Sequence, residues 1–159
     1  MLHPLGGKER TLDEQLKLFH LVMVVLDPYT YESSWLLATA DRILTHYSGA
    51  DCRPAWLVAA DEAGTRAFMG DLAGEMLTFC DPDRTFIKAL GCQELPAFVH
   101  IAGDGTIAGM AEGWDPDTWR PIAENLAEMM SWTRPAIPET GDPVPYEGTP
   151  AIPLATEPA

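Results

Sequence analysis

Three short, nearly uninterrupted apolar runs decide what this chain can become: His20-Leu-Val-Met-Val-Val-Leu26, Ala55-Trp-Leu-Val-Ala-Ala60 and Ala97-Phe-Val-His-Ile101. Each is bounded by turn residues and reads as a strand buried on both faces. The stretches between them carry apolar residues at three- and four-residue spacing, the mark of helices with one buried stripe. Strand–helix–strand alternation implies parallel strands joined by right-handed crossovers. A central sheet covered by helices on both faces follows.

Punctuation residues mark the elements. Thr11-Leu-Asp-Glu14 reads as a capping box opening a first helix with Leu12, Leu16 and Phe19 on one face. Leu36, Ala40, Ile43, Leu44 and Tyr47 predict one helix over Tyr31–Tyr47, ended by Ser48-Gly49. A short helix over Glu62–Leu72 and a strand over Met76–Phe79 come next. Asp81-Pro82 reads as an N-cap followed by proline in the first helical position, opening a helix that stops at Gly91. Gly103-Asp104-Gly105 is a hairpin signal leading into Thr106–Glu112. Asp115-Pro116 then opens a last helix reaching Trp132. The hairpin adds an antiparallel edge, so the expected sheet is mixed.

The expected domain is residues 11–132, preceded by an extension over 1–10. Residues 133–159 hold seven of the fourteen prolines and little apolar periodicity. That composition predicts an extended, proline-rich C-terminal tail that packs no core. A linker is the commoner use of such a tail; lying along the domain or a partner is the other.

Ten Lys and Arg against 24 Asp and Glu give a formal net charge of −14. Such a field disfavours nucleic acid and anionic membrane and favours basic partners. The opening MLHPLGGKERTLDEQ carries acids where a signal peptide carries its apolar stretch, and no run is long enough to span a bilayer. The expectation is a cytoplasmic protein. Cys52, Cys80 and Cys92 are widely spaced, and neither a metal motif nor a cofactor motif is legible.

Three segments carry a family likeness. The first is VMVVLDPYTYESSW, a strand–turn–helix. The second is LGCQELPAFVHIAGDGTI, a glycine, four residues, a proline, a strand and an Asp-Gly turn. The third is the closing helix after Gly113-Trp-Asp-Pro116. Over Thr11–Trp132 the chain resembles the thioredoxin-like superfamily, in the style of its peroxiredoxin and TlpA-like branches. The resemblance implies an α/β thioredoxin-like fold and a Cys-x-x-Cys after the first central strand. At those two positions this chain has Thr30 and Ser33, and no cysteine precedes Cys52. A serine hydroxyl forms no disulfide and has a pKa far above that of a thiol, so the family's dithiol reaction has no nucleophile here. Pro96, after Leu95, matches the family's cis-proline, whose backbone in the family pairs with an extended peptide.

These observations predict a redox-inactive module that binds a protein or an extended, basic peptide. Its expected site is Tyr29, Thr30, Tyr31, Ser33, Trp35, Leu95 and Pro96; a homo-oligomer stays open. A second reading moves thiol chemistry to Cys92 or Cys80. These two flank one predicted helix, and about ten helical residues hold them roughly 15 Å apart, too far for a disulfide. A third reading holds an anion or a glutathione-type ligand at the Ser33 helix start. Simple capping by Ser33 or Ser34, and core packing by His100, are the ordinary alternatives.

Overall fold

The computed structural model describes residues 2–5 and 20–152; the helix expected over Thr11–Phe19 lies outside them. In chain order the elements are β1 (His3–Pro4), β2 (His20–Leu26), α1 (Tyr31–Trp35), α2 (Leu37–Thr45), β3 (Cys52–Val58) and α3 (Glu62–Met69). A 3-10 turn (Gly70–Gly74) leads to β4 (Leu77–Cys80), α4 (Thr85–Leu90), β5 (Glu94–Leu95), β6 (Ala97–Ile101), β7 (Ile107–Glu112), α5 (Pro116–Met129) and β8 (Thr149–Pro150).

Six strands form one sheet in the order β1-β4-β3-β2-β6-β7. β2 lies parallel to β3, and β3 to β4, through the expected crossovers. β6 runs antiparallel to β2 and turns through the Gly103-Asp-Gly105 hairpin into β7. Because β2 and β3 are interior, alternate residues feed two cores. Val22, Val24, Leu26, Trp56 and Phe98 meet α2 and α5 on one face. Leu21, Met23, Val25, Leu57 and Val99 meet Phe86, Ile87 and Leu90 of α4 on the other. The unbroken apolar runs are thus explained by burial on two sides.

α5 starts as expected, with Pro116 in its first turn and Asp115 accepting the Asp117 N–H. Trp119 from this helix stacks on Phe98 at 4.7 Å between ring centroids. Gly109 of β7 lies under the same helix, where a Cβ would come within 2.9 Å of Ile122.

Two expectations about helices are corrected. The helix read over Tyr31–Tyr47 is interrupted at Leu36, whose N–H closes back on Ser33 O at 3.3 Å, a tighter i→i−3 bond. The helix read from Pro82 begins at Thr85. Asp81 does cap it, but from a turn away, accepting the N–H groups of Phe86 (3.2 Å) and Ile87 (2.8 Å). Arg84 makes this possible by adopting φ +61°, uncommon for a residue with a side chain.

The C-terminal segment differs most from expectation. Through residue 152 it forms no helix and makes a turn at Glu139–Asp142, but it is no free linker. Ile137 and Ala151 are buried in the two cores. Arg42 binds Asp142 at 2.8 Å, and Trp114 Nε1 donates to Pro143 O at 2.8 Å. A segment without periodicity can still be held through its carbonyls and isolated apolar residues, neither of which leaves a pattern in sequence.

Candidate functional site

The turn after β2 is organised by Asp27, which is buried. Its backbone N–H donates to Ser33 Oγ at 2.9 Å, and its carbonyl accepts from Thr30 Oγ1 at 3.0 Å. One carboxylate oxygen accepts the Tyr29 N–H at 2.9 Å. The other pairs with Arg84 Nη2, also at 2.9 Å. Thr30 and Ser33 therefore spend their hydroxyls on holding the turn. Ser33 is fully buried, and α1, which it belongs to, is a single turn of helix. The reading of a ligand at the Ser33 helix start is corrected accordingly: this hydroxyl faces the interior and already has its partner.

The aromatic residues of the turn face outward. Tyr29, Tyr31 and Trp35 are 75%, 77% and 56% exposed, and they are among the largest exposed hydrophobic side chains in the described residues. A cavity of about 390 Å³ lies beside them, lined by Pro28, Tyr29, Thr30, Tyr31, Ser34 and Phe68.

Leu95 and Pro96 are joined by a cis peptide bond, in keeping with the proline's expected match. Their edge is not open. β8 pairs antiparallel with β5, setting Thr149 opposite Leu95 and Pro150 opposite Glu94. Ala151 N–H donates to Gln93 O at 2.8 Å, and Tyr146 exchanges two backbone bonds with Trp114, each 2.9 Å. The Tyr146 ring stands edge-on to Trp35 at 5.5 Å, and its hydroxyl donates to Glu32 O. Arg84 joins the two halves of the site, since its Nη1 donates to Ala151 O at 2.7 Å while Nη2 holds Asp27. Sequence reasoning missed Asp27, Arg84 and Tyr146. Arg84 and Tyr146 are distant from Asp27 in the chain, and no local pattern links the three.

The three cysteines are free and buried. Burial pushes the Cys92 thiol up to about 12, with Glu112 adding to the shift, and the Cys52 thiol up to about 11, with Asp51 adding. Cys80 is raised as well, mainly by burial. Cys92 Sγ lies 3.5 Å from Met110 Sδ, in the core beneath β5. Cys80 borders a cavity of about 420 Å³ with His3, Asp61 and Asp83. His20 and His100 meet at 2.8 Å, at the opposite end of β2.

No protein-family model and no curated protein sequence matches this chain. Solved structures do. The exposed lipoprotein thioredoxin of Streptococcus pneumoniae superposes with a TM-score of 0.62 at 18% identity, covering 80% of this chain and 96% of its own. A putative thioredoxin of Neisseria meningitidis gives 0.63 at 16% identity, covering 81% of this chain and 88% of its own. The fold is thioredoxin-like. A hypothetical protein of Sinorhizobium meliloti gives 0.63 at 15% identity and covers 97% of this chain and 90% of its own. The thioredoxin-like neighbours include thiol-disulfide oxidoreductases, such as a secreted disulfide oxidoreductase of Mycobacterium tuberculosis at a TM-score of 0.54, with 16% identity over 69% of this chain and 80% of its own. Among the described residues of this chain, no helix is long and apolar enough to cross a membrane.

Proposed function

We propose that this thioredoxin-like chain is a redox-inactive binding module that captures a protein or extended peptide on its aromatic turn. One observation carries the reading. Where the fold would present a reactive thiol, this chain presents Thr30 and a buried Ser33, flanked by the exposed rings of Tyr29, Tyr31 and Trp35. Exposed aromatics around a locked backbone are the usual anchors of a recognition surface, because rigid rings bury large area at low entropic cost. The net charge of −14 favours a basic partner.

The test is a quantitative pull-down with wild type, Tyr31→Ala and Trp35→Ala. Tyr31→Ala is the cleaner variant, because Trp35 also touches Tyr146. We expect Tyr31→Ala to lose about tenfold or more in retention of specific partners, as truncating an aromatic anchor does. An unchanged partner set in both variants would overturn the reading.

A further inference from the structure

The edge beside Pro96 already holds a peptide, and that peptide belongs to the chain itself. Of residues Tyr146–Ala151, Tyr-Glu-Gly-Thr-Pro-Ala, Thr149 and Pro150 pair with β5 in a two-stranded sheet separate from the six-stranded one, and Tyr146 bridges to Trp114. Backbone atoms of Trp114 and Gln93 supply three of the hydrogen bonds, and Thr149 Oγ1 adds another to Leu95 O at 3.3 Å. Contacts of this kind give affinity without reading sequence, whereas side-chain pockets give selectivity.

The selectivity elements are visible. Gly148 packs so tightly that a Cβ there would lie 2.7 Å from Leu95 O. Across from it Gly113, at φ +70°, would drive a Cβ to within 2.8 Å of Tyr146 O. Neither obstacle is a flexible side-chain end that could swing aside. Glycine on each side therefore sets how closely strand and groove approach. Tyr146 fills a half-buried slot between Trp35 and the Glu32 carbonyl, and Ala151 is fully buried under the Arg84 clamp. The groove thus specifies an aromatic residue, a glycine two positions later, and a small residue three beyond that.

The hold is also limited. β5 and β8 are two residues each, and Pro150 has no N–H to donate. A short strand of this kind stays in place largely because its tether keeps its local concentration high.

We propose that Tyr146–Ala151 is a resident ligand of the groove beside Pro96. The groove accepts in trans an extended peptide of the pattern aromatic-x-Gly-x-x-small when the resident strand leaves. The inference rests on the peptide-binding reading of this site and adds the regulation of its second half: the chain's own strand competes with the incoming one.

The experiment uses full-length protein and a fluorescein-labelled peptide of sequence Pro-Tyr-Glu-Gly-Thr-Pro-Ala-Ile, followed by anisotropy. Gly148→Val expels the strand while leaving the groove intact, so the labelled peptide should bind that variant about tenfold or more tightly than wild type. A control peptide with Val in place of its Gly should bind neither. Tyr146→Ala should unmask the groove in the same direction. Amide exchange supplies a second readout: the Ala151 N–H is protected in wild type and loses about tenfold or more of that protection in Gly148→Val. Folded variants that bind the peptide no better than wild type would overturn the proposal. So would an unprotected Ala151 amide in wild type. Failure of both variants to fold would also overturn it, by making the strand an obligatory part of the core.

Tyr31→Ala leaves every strand contact named here in place. Peptide binding by Gly148→Val alongside unchanged partner retention by Tyr31→Ala would sink the aromatic-turn reading alone. The converse pair of results would sink only the resident-ligand proposal.

Discussion

Asp27 shows how one residue can hold a whole turn in place. Its N–H, its carbonyl and both carboxylate oxygens are all engaged, and its partner Arg84 is mostly buried. Asp27→Asn leaves a buried guanidinium without its counter-charge, which costs about 1–3 kcal/mol of stability in denaturant unfolding. An isosteric variant with wild-type stability would show that the pair contributes nothing net. The thiols make a second residue-scale prediction. With Cys52 pushed up to about 11 and Cys92 to about 12, their thiolate fractions at pH 8 lie about a hundredfold or more below that of an ordinary cysteine. Colour development with an aromatic disulfide reagent should be correspondingly slow in the native protein and fast after denaturation. Rapid native labelling of Cys92 would restore a thiol reading of the site.

At the scale of elements, what the sequence made legible was whatever leaves a period or a punctuation mark. The run His20–Leu26 is a strand over its full length because every residue needs cover on both sides. Asp115-Pro116 starts a helix because cap and proline act locally. The start of α4 is not legible in sequence, because Asp81 caps it through a detour that depends on the left-handed Arg84, which propensity does not anticipate. The docking of the C-terminal segment is illegible for a deeper reason. Its attachment uses backbone carbonyls, a close approach at Gly148 and single anchors such as Ile137, and each of these depends on a surface formed elsewhere in the chain. The site divides the same way: Thr30 and Ser33 in the turn after β2 were legible in sequence, whereas the strand covering the Leu95–Pro96 edge was not. Ile137→Ala tests whether this segment is integral to the fold. A true linker residue would tolerate the change, but a buried isoleucine should cost about 2–4 kcal/mol in chemical unfolding. A change within experimental error would return the segment to the status of a linker.

Across the whole molecule, the site and the histidine pair occupy opposite ends of β2, roughly 20 Å apart for seven residues of strand. His100 is fully buried, and its Nδ1 has no hydrogen-bond partner among the described residues. Among the described residues its ring bonds to His20, with one ring donating and the other accepting. Protonating both rings turns both nitrogens into donors and breaks that bond. Burial, reinforced by His20, pushes His100 down to about 4 from the ordinary 6.5. The unfolded chain therefore takes up this proton below about pH 6.5, while the folded chain resists it until about pH 4. Stability falls as the pH drops through that window and levels off beneath it, by at most about 3 kcal/mol for this one group. His100→Gln should flatten the difference in unfolding free energy between pH 7 and pH 4.5, leaving only the background from the many carboxylates. An acid slope identical in wild type and variant would mean that the pair is solvated in the native state. The loss belongs to global unfolding, because His100 sits between β2 and β7 in the sheet that both cores share. Acid should then release the aromatic turn and the resident strand together with the rest of the fold, rather than ahead of it.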